Sequence, residues 1–210
     1  EHIQNDELFI SNWMMIARLH MASGNLPAAG EALEKAQQKA VGGEFSVPAM
    51  PRLAAARVQH AIARNDLASA SYWAERLAEG SEWHAFYPFT NTTRAIYLLA
   101  NNQPAEALRH LEHCYERDSQ EGWVYGMIVI QALQALAAAQ QETAPAAAVE
   151  YLKDALRWAQ PEGYVRTFVD LGKGMETLLQ GMVQRRMMPE YAKISYLRRV
   201  LLIRNRSLAS

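Results

Sequence analysis

Glu106, His110, His113 and Cys114 follow one another at spacings of four, three and one. On a helix this brings a carboxylate, two imidazoles and a thiol toward one side, a donor set that fits a divalent metal. The same spacing also describes a solvated or core-edge helix face, so no metal is assigned. Arg57 and Arg94 each stand eight residues before an asparagine, Asn65 and Asn102. On stacked helices they would occupy neighbouring rungs and clamp an acidic ligand, or else pair with Glu and helix ends in the adjacent pair. Trp13, Tyr97, Trp123 and Tyr125, with Gln131 and Gln134, supply ring faces and amides for a polar small molecule, and equally serve inter-helix packing. Gly172 and Gly174 form a glycine-x-glycine inside RWAQPEGYVRTFVDLGKGMETLL, Arg157 to Leu179. A phosphate cradle needs a strand before such glycines, whereas Ala155 to Ala159 reads as the end of a helix. No glycine-x-serine-x-glycine elbow, HExxH, CxxC or GxxxxGK[ST] occurs, so nothing in the sequence supports an enzyme.

The elements that must position these residues are helices. Half of the 210 residues are hydrophobic, alanine-rich helix formers dominate, and β-branched residues are scattered, which points to an all-α fold. No apolar run approaches the roughly 18 residues of a membrane span. The start, EHIQNDELF, lacks the basic and apolar regions of a signal peptide and reads as an excised fragment. One cysteine, Cys114, leaves no internal disulfide framework. A soluble, cytoplasmic chain without membrane contact is expected. The net charge is −1, but from Pro161 onward nine basic residues face four acids, about +5 there and about −6 elsewhere. That tail either approaches an acidic partner or forms the solvated faces of terminal helices.

Four turn-then-helix segments punctuate the chain: SGNLPAAGEAL, RNDLASASYWA, NNQPAEALRHL and QETAPAAAVEYL. Aligning the small residue after each turn gives Ala29, Ala70, Ala107 and Ala147, at intervals of 41, 37 and 40 residues. This is the period of a helix pair. The first helices are expected over Ser11 to Ala22, Arg52 to Ala63, Phe89 to Ala100 and Trp123 to Ala139. The second helices are expected over Pro27 to Ala40, Ala68 to Glu79, Pro104 to Arg117 and Pro145 to Ala159. Gly24 can take the positive φ that ends a helix, and Pro27, Pro104 and Pro145 suit first-turn positions. Pro48, Pro51, Pro88 and Pro161 are expected between pairs. Leu33, Leu111 and Tyr151, four residues after the aligned alanines, should fill the space beside them. Met14, Met15 and Met21 read as adaptable filler or a partner face. Such pairs stack into a right-handed tetratricopeptide-like superhelix with a concave binding surface. The array is expected over residues 1–160, with capping helices over 161–210 and breaks at Gly172 and Gly174.

The run ALRWAQPEGYVRTFVD, with Met175, Leu178 and Leu179 after it, closely resembles the end of the tetratricopeptide-like region of MalT-type regulators, the large ATP-binding members of the LuxR family. RVQHAIARNDLASASYWAERLA, from Arg57, is similar to their repeat unit. The resemblance implies a sensor in which a small-molecule inducer or regulatory protein, bound in or near the superhelix, biases a resting monomer toward an ATP-dependent oligomer. Self-association of the full-length regulator is part of that implication. It assigns ATP to an amino-terminal module and DNA reading to a carboxyl-terminal helix-turn-helix. The chain shows neither pattern, so no cofactor and no DNA contact is expected of these residues. A plain interaction scaffold is the alternative expectation.

Overall fold

The structure, a computed structural model, describes residues 2–41, 49–78, 88–141, 145–187 and 194–207. Pro48, Glu79, Glu190 and Lys193, which enter the sequence reading, lie outside them. The described residues form helices α1 (His2–Ala22), α2 (Leu26–Val41), α3 (Ala49–Ala63), α4 (Leu67–Ala78), α5 (Pro88–Ala100), α6 (Pro104–Gln120), α7 (Val124–Gln140), α8 (Pro145–Glu162), α9 (Arg166–Val169), α10 (Gly172–Gln184) and α11 (Ile194–Ser207). No strand occurs among them. The eight expected helices are α1 to α8, and α1 extends well upstream of Ser11.

Six of these helices, α1, α3, α5, α6, α8 and α10, are followed within two residues by one in the left-handed region, namely Gly24, Asn65, Asn102, Gly122, Gly163 and Arg186, whereas α7 ends on the extended Gln141. After α1 the Gly24 amide donates to the Met21 carbonyl at 3.1 Å and the Asn25 amide to His20 at 2.9 Å. These two bonds satisfy carbonyls that the helix leaves open. Asn65 and Asp66 repeat the pattern on Ile62 and Ala61, both at 2.9 Å. Asparagine tolerates the positive φ better than most side chains, which is why the Asn turns match the Gly24 turn. The next helix then starts on a side-chain cap. The Asn25 Oδ1 accepts from the Ala28 amide at 3.2 Å. The Asp66 carboxylate accepts from the Ser69 amide at 3.0 Å and the Ser69 hydroxyl at 2.7 Å.

The prolines divide otherwise than expected. Pro88 opens α5 and Pro51 lies in the first turn of α3, where a missing N–H costs little. Pro161 lies inside α8, and the stop comes two residues later at Gly163. There the Tyr164 amide reaches the Ala159 carbonyl at 3.0 Å.

Helices α1 to α5 form one compact unit and α6 to α11 another. In the first, α1 packs on α2, α3 on α4, and α3 also on α1, α2 and α5. Its core holds Ile10, Met14, Ala17, Ala32, Leu33 and Leu53. Of the methionines of α1, Met14 is buried and Met21, seven residues on along the same face, is half-buried, while Met15, one 100° step away, is exposed. In the second unit α7 packs on α6, α8 and α10, and α9 on α10 and α11. Phe168, Met175, Leu179, Tyr196, Leu197 and Val200 join Leu152, Ala155 and Leu156 in one cluster. Full burial of a side chain such as Phe168 contributes about 1.5–3 kcal/mol.

Two sequence-based placements shift. In the fourth pair the buried row is Ala148, Leu152, Ala155, Leu156 and Ala159, while Ala147 and Tyr151 are half-buried. One step of the register changes the face because the row through Ala147 and Tyr151 continues to the exposed Asp154 and Trp158. The expected break falls at Gly172, which has a φ of 81° and separates α9 from α10, whereas Gly174 breaks nothing and lies inside α10. A Cβ on Gly174 would stand 3.1 Å from Leu136 Cδ2, so this glycine lets α10 approach α7.

The bonds from the Ser69 hydroxyl and amide, with Arg64 nearby, hold the Asp66 carboxyl below its ordinary value of 3.8. A lowered folded-state pKa stabilises above the unfolded value and is lost as pH falls through the folded one. Chemical denaturation between pH 6 and about pH 2.5 should show the stability advantage of the native chain over Asp66→Asn shrinking toward acid. An advantage independent of pH would contradict this cap.

Candidate functional site

In the first unit Arg57 joins three helices. Its Nη2 donates to Glu34 Oε2 of α2 at 2.8 Å, and its guanidinium carbon lies 5.6 Å from the centroid of Trp73 on α4. Its Nε is buried without a hydrogen-bond partner. Tyr97 on α5 packs with Trp73 against Ala54, Ala55, Val58 and Leu77, and its hydroxyl donates to Ser71 Oγ at 3.1 Å. Arg57 and Tyr97 are thus gathered around Trp73. Arg94 is exposed on α5, so the two arginines of equal sequence position occupy unlike environments. Trp13 is half-buried at the edge of the α1, α2 and α3 core, with Lys35 Nζ 4.3 Å above its ring and Phe9 edge-on at 6.0 Å. A part-buried polar link ties α3 to α5, from Gln59 Nε2 to Thr93 Oγ1 at 2.9 Å. Beside it His60, 6% exposed, sets Nε2 2.9 Å from the Leu26 carbonyl. A carbonyl only accepts, so this nitrogen carries the proton.

In the second unit Tyr125, Gln131 and Gln134 are spread along α7 and Trp123 stands just before it. Trp123 is half-buried before the helix, and its amide donates to the Asp118 carbonyl at 2.8 Å. The Tyr125 ring lies 5.2 Å from that of Tyr164. Gln131 and Gln134 are 5% and 3% exposed. Gln131 Nε2 reaches the Tyr115 hydroxyl at 3.5 Å, while its Oε1 has no partner. Burying an amide oxygen without a donor costs about 1–3 kcal/mol, so this group marks where a donor from outside would be favoured.

Several participants were not legible. Nothing in the spacing links Glu34 to Arg57, 23 residues apart, or Tyr115 to Gln131. Nor does the spacing single out Asp118, yet its side chain is 1% exposed with Arg117 Nη2 at 2.7 Å. The pointer to it is Gly126, where a Cβ would fall 2.1 Å from Asp118 Oδ2.

The metal-like quartet disperses. Glu106 and His113 are exposed, Cys114 is buried, and His110 Nε2 lies 3.7 Å from its sulfur. Among the described residues no three His, Cys, Asp or Glu side chains gather as a metal site. The basic tail is partly tied down: Arg166 pairs with Asp170, and Lys173 Nζ lies 3.1 Å from the buried Glu176. Arg199 Nη2 donates to the Gly163 carbonyl at 3.3 Å, and the Tyr196 hydroxyl to that of Tyr164. Burial pushes the Tyr196 phenol well up, against a smaller opposing effect of Arg199. Burial and the Glu112 charge likewise raise Tyr151. An open cleft of about 420 Å³ lies between Gln160, Pro161, Gly163, Ser195, Tyr196 and Arg199. None of the eight ligand candidates lines it.

These features define an all-α helical-repeat protein of tetratricopeptide type. A family model described as the MalT-like TPR region matches residues 1–185, and the chain belongs to that family. No curated protein and no solved structure matches it. No helix among the described residues is long and apolar enough to cross a membrane.

The Asp118 carboxylate packed on Gly126 yields a test of the α6–α7 contact. Gly126→Ala should destabilise the chain by about 1–3 kcal/mol through overpacking against a buried charge. In urea denaturation Gly181→Ala, where no atom lies within 4 Å of the added Cβ, should cost nothing comparable.

Proposed function

We propose that this chain is the ligand- or partner-sensing helical-repeat region of a MalT/LuxR-type transcriptional regulator, and that its state controls a full-length DNA-binding protein. Membership of the MalT-like TPR family over residues 1–185 supports the regulatory role. On this reading the region is not catalytic and acts in the cytoplasm. ATP binding and DNA reading belong to other parts of the regulator.

The observation that carries a small-molecule ligand is the unpartnered Oε1 of Gln131, on a residue 5% exposed. A ligand donor that pairs with it regains the cost of that buried orphan only in the state where the α7 face is open to it. Differential affinity of this kind is what shifts a two-state equilibrium. Tyr115 and Gln134 complete the polar surroundings. In the first unit the half-used guanidinium of Arg57 offers the complementary chemistry, a buried N–H for an acceptor. A second reading, a scaffold that holds a protein segment, is favoured by the cleft at Gln160 to Arg199, which is open rather than enclosed.

Titration calorimetry of the chain against a panel of polar metabolites should find a binder. Its affinity should fall about tenfold or more in Gln131→Leu, the equivalent of losing one good hydrogen bond. No binder at all, together with capture of a protein partner, would sink the small-molecule version in favour of the scaffold.

A further inference from the structure

The open cleft at the end of α8 is walled by two elements that share one core. Ala155, Leu156 and Ala159 of α8 and Tyr196, Leu197 and Val200 of α11 are buried in the same cluster, and Tyr196 donates its hydroxyl to the Tyr164 carbonyl. The walls are therefore held in place before anything enters. What they present is of two kinds. On one side is the carbonyl end of α8. A helix leaves its last four carbonyls without intrahelical amides. Those of Ala159 and Gln160 receive the Tyr164 and Gly163 amides at 3.0 and 3.1 Å, which leaves those of Pro161 and Glu162 at the negative pole of the helix. On the other side are the exposed Ser195 and Arg199, one helical turn apart on α11 and so on one face. Arg199 places one Nη2 hydrogen on the Gly163 carbonyl at 3.3 Å. A guanidinium carries five donors, and among the described residues no acidic side chain lines the cleft with it.

We propose that this cleft takes a segment of a protein partner that carries an acidic side chain. The carboxylate lies on Arg199 and Ser195, and the segment's backbone amides lie on the carbonyls that end α8. The two-sided chemistry selects this occupant. A peptide brings acceptors and N–H donors together, whereas a nucleic-acid backbone brings closely spaced phosphates and would set them against the carbonyl pole of α8. Arginine also takes a carboxylate in two parallel bonds, which fixes the direction of the segment. Charge points the same way. The chain from Pro161 onward is about +5; Arg166 is paired with Asp170 and Lys173 with Glu176, while Arg199 meets a neutral carbonyl. The volume of about 420 Å³ is that of a ligand site, and its open form lets a longer chain run on beyond it. This inference deepens the second reading above, a protein segment held in the cleft, and rests on it. It uses none of the groups around Gln131.

Fluorescence polarisation of the 210-residue chain should detect a labelled hexapeptide with a central glutamate at a Kd of about 10–500 µM, the range of a contact smaller than a standard interface. The same peptide with glutamine in that place should bind about tenfold or more weakly. Arg199→Gln should cost the glutamate peptide about as much. Arg185→Gln, which removes the same charge at an exposed position outside the cleft, should change its affinity by less than about twofold. Ser195→Trp, which fills the cleft from an exposed position, should abolish binding in a chain that melts as the native one does. If both peptides bind alike and both are lost in Ser195→Trp, the carboxylate inference is overturned and the scaffold reading stands. Binding of neither peptide overturns both. Free glutamate or an oligothymidylate that binds more tightly than the peptide, and is lost in Arg199→Gln, overturns the peptide in favour of a small acid or a nucleic acid.

Discussion

The close approach of helices across a single small side chain is the constraint on which the rest of the molecule depends. Ala29, Ala70, Ala107 and Ala148 are each at most 1% exposed, at the start of the second helix of each pair. Axes separated by 8–10 Å leave room there for a methyl group and little more. Leu33, Leu111 and Leu152, four residues on and fully buried, fill the wider space one turn along. This geometry requires the chain to turn sharply between helices. The left-handed residues at Gly24, Asn65 and Asn102 meet that need while returning backbone amides to carbonyls that the helix leaves open.

Within that frame, buried polar groups take two forms. Asp118 and Glu176 are held by cations at 2.7 and 3.1 Å, and the buried Thr93 by Gln59 Nε2 at 2.9 Å. These are pins: a buried group with partners fixes one arrangement of neighbouring helices. Gln131 Oε1 and Arg57 Nε are buried without partners, so neither atom fixes its helix to a neighbour in this way. A helical repeat suits this division, since each pair rests mainly on its neighbours.

The motif-like clusters show how a shared sequence pattern separates in three dimensions. Glu106, His110, His113 and Cys114 share a helix but not an environment, because Cys114 turns into the core with the half-buried His110 against it, while Glu106 and His113 are exposed. Arg57 and Arg94 hold equivalent positions in the repeat, yet Arg57 reaches Glu34 at 2.8 Å while Arg94 is exposed. A repeat conserves the backbone position, while the partner comes from whatever the adjacent helix carries. The glycines of the carboxyl-terminal segment act in the same local way. Gly163 ends α8, and Gly174 makes room for Leu136.

By itself the sequence determined the all-α class, the helix-pair period, nearly all eight helix spans and the family, because periodic apolar residues, turn chemistry and small residues act over a few neighbours. Only the tertiary structure decided which step of α8 is buried, that Pro161 lies within a helix, that Asp118 lies beneath Gly126, and which polar atoms lack partners. Those outcomes depend on contacts between residues distant in sequence. A single 100° step of a helix or one facing side chain changes burial there without leaving a periodic trace.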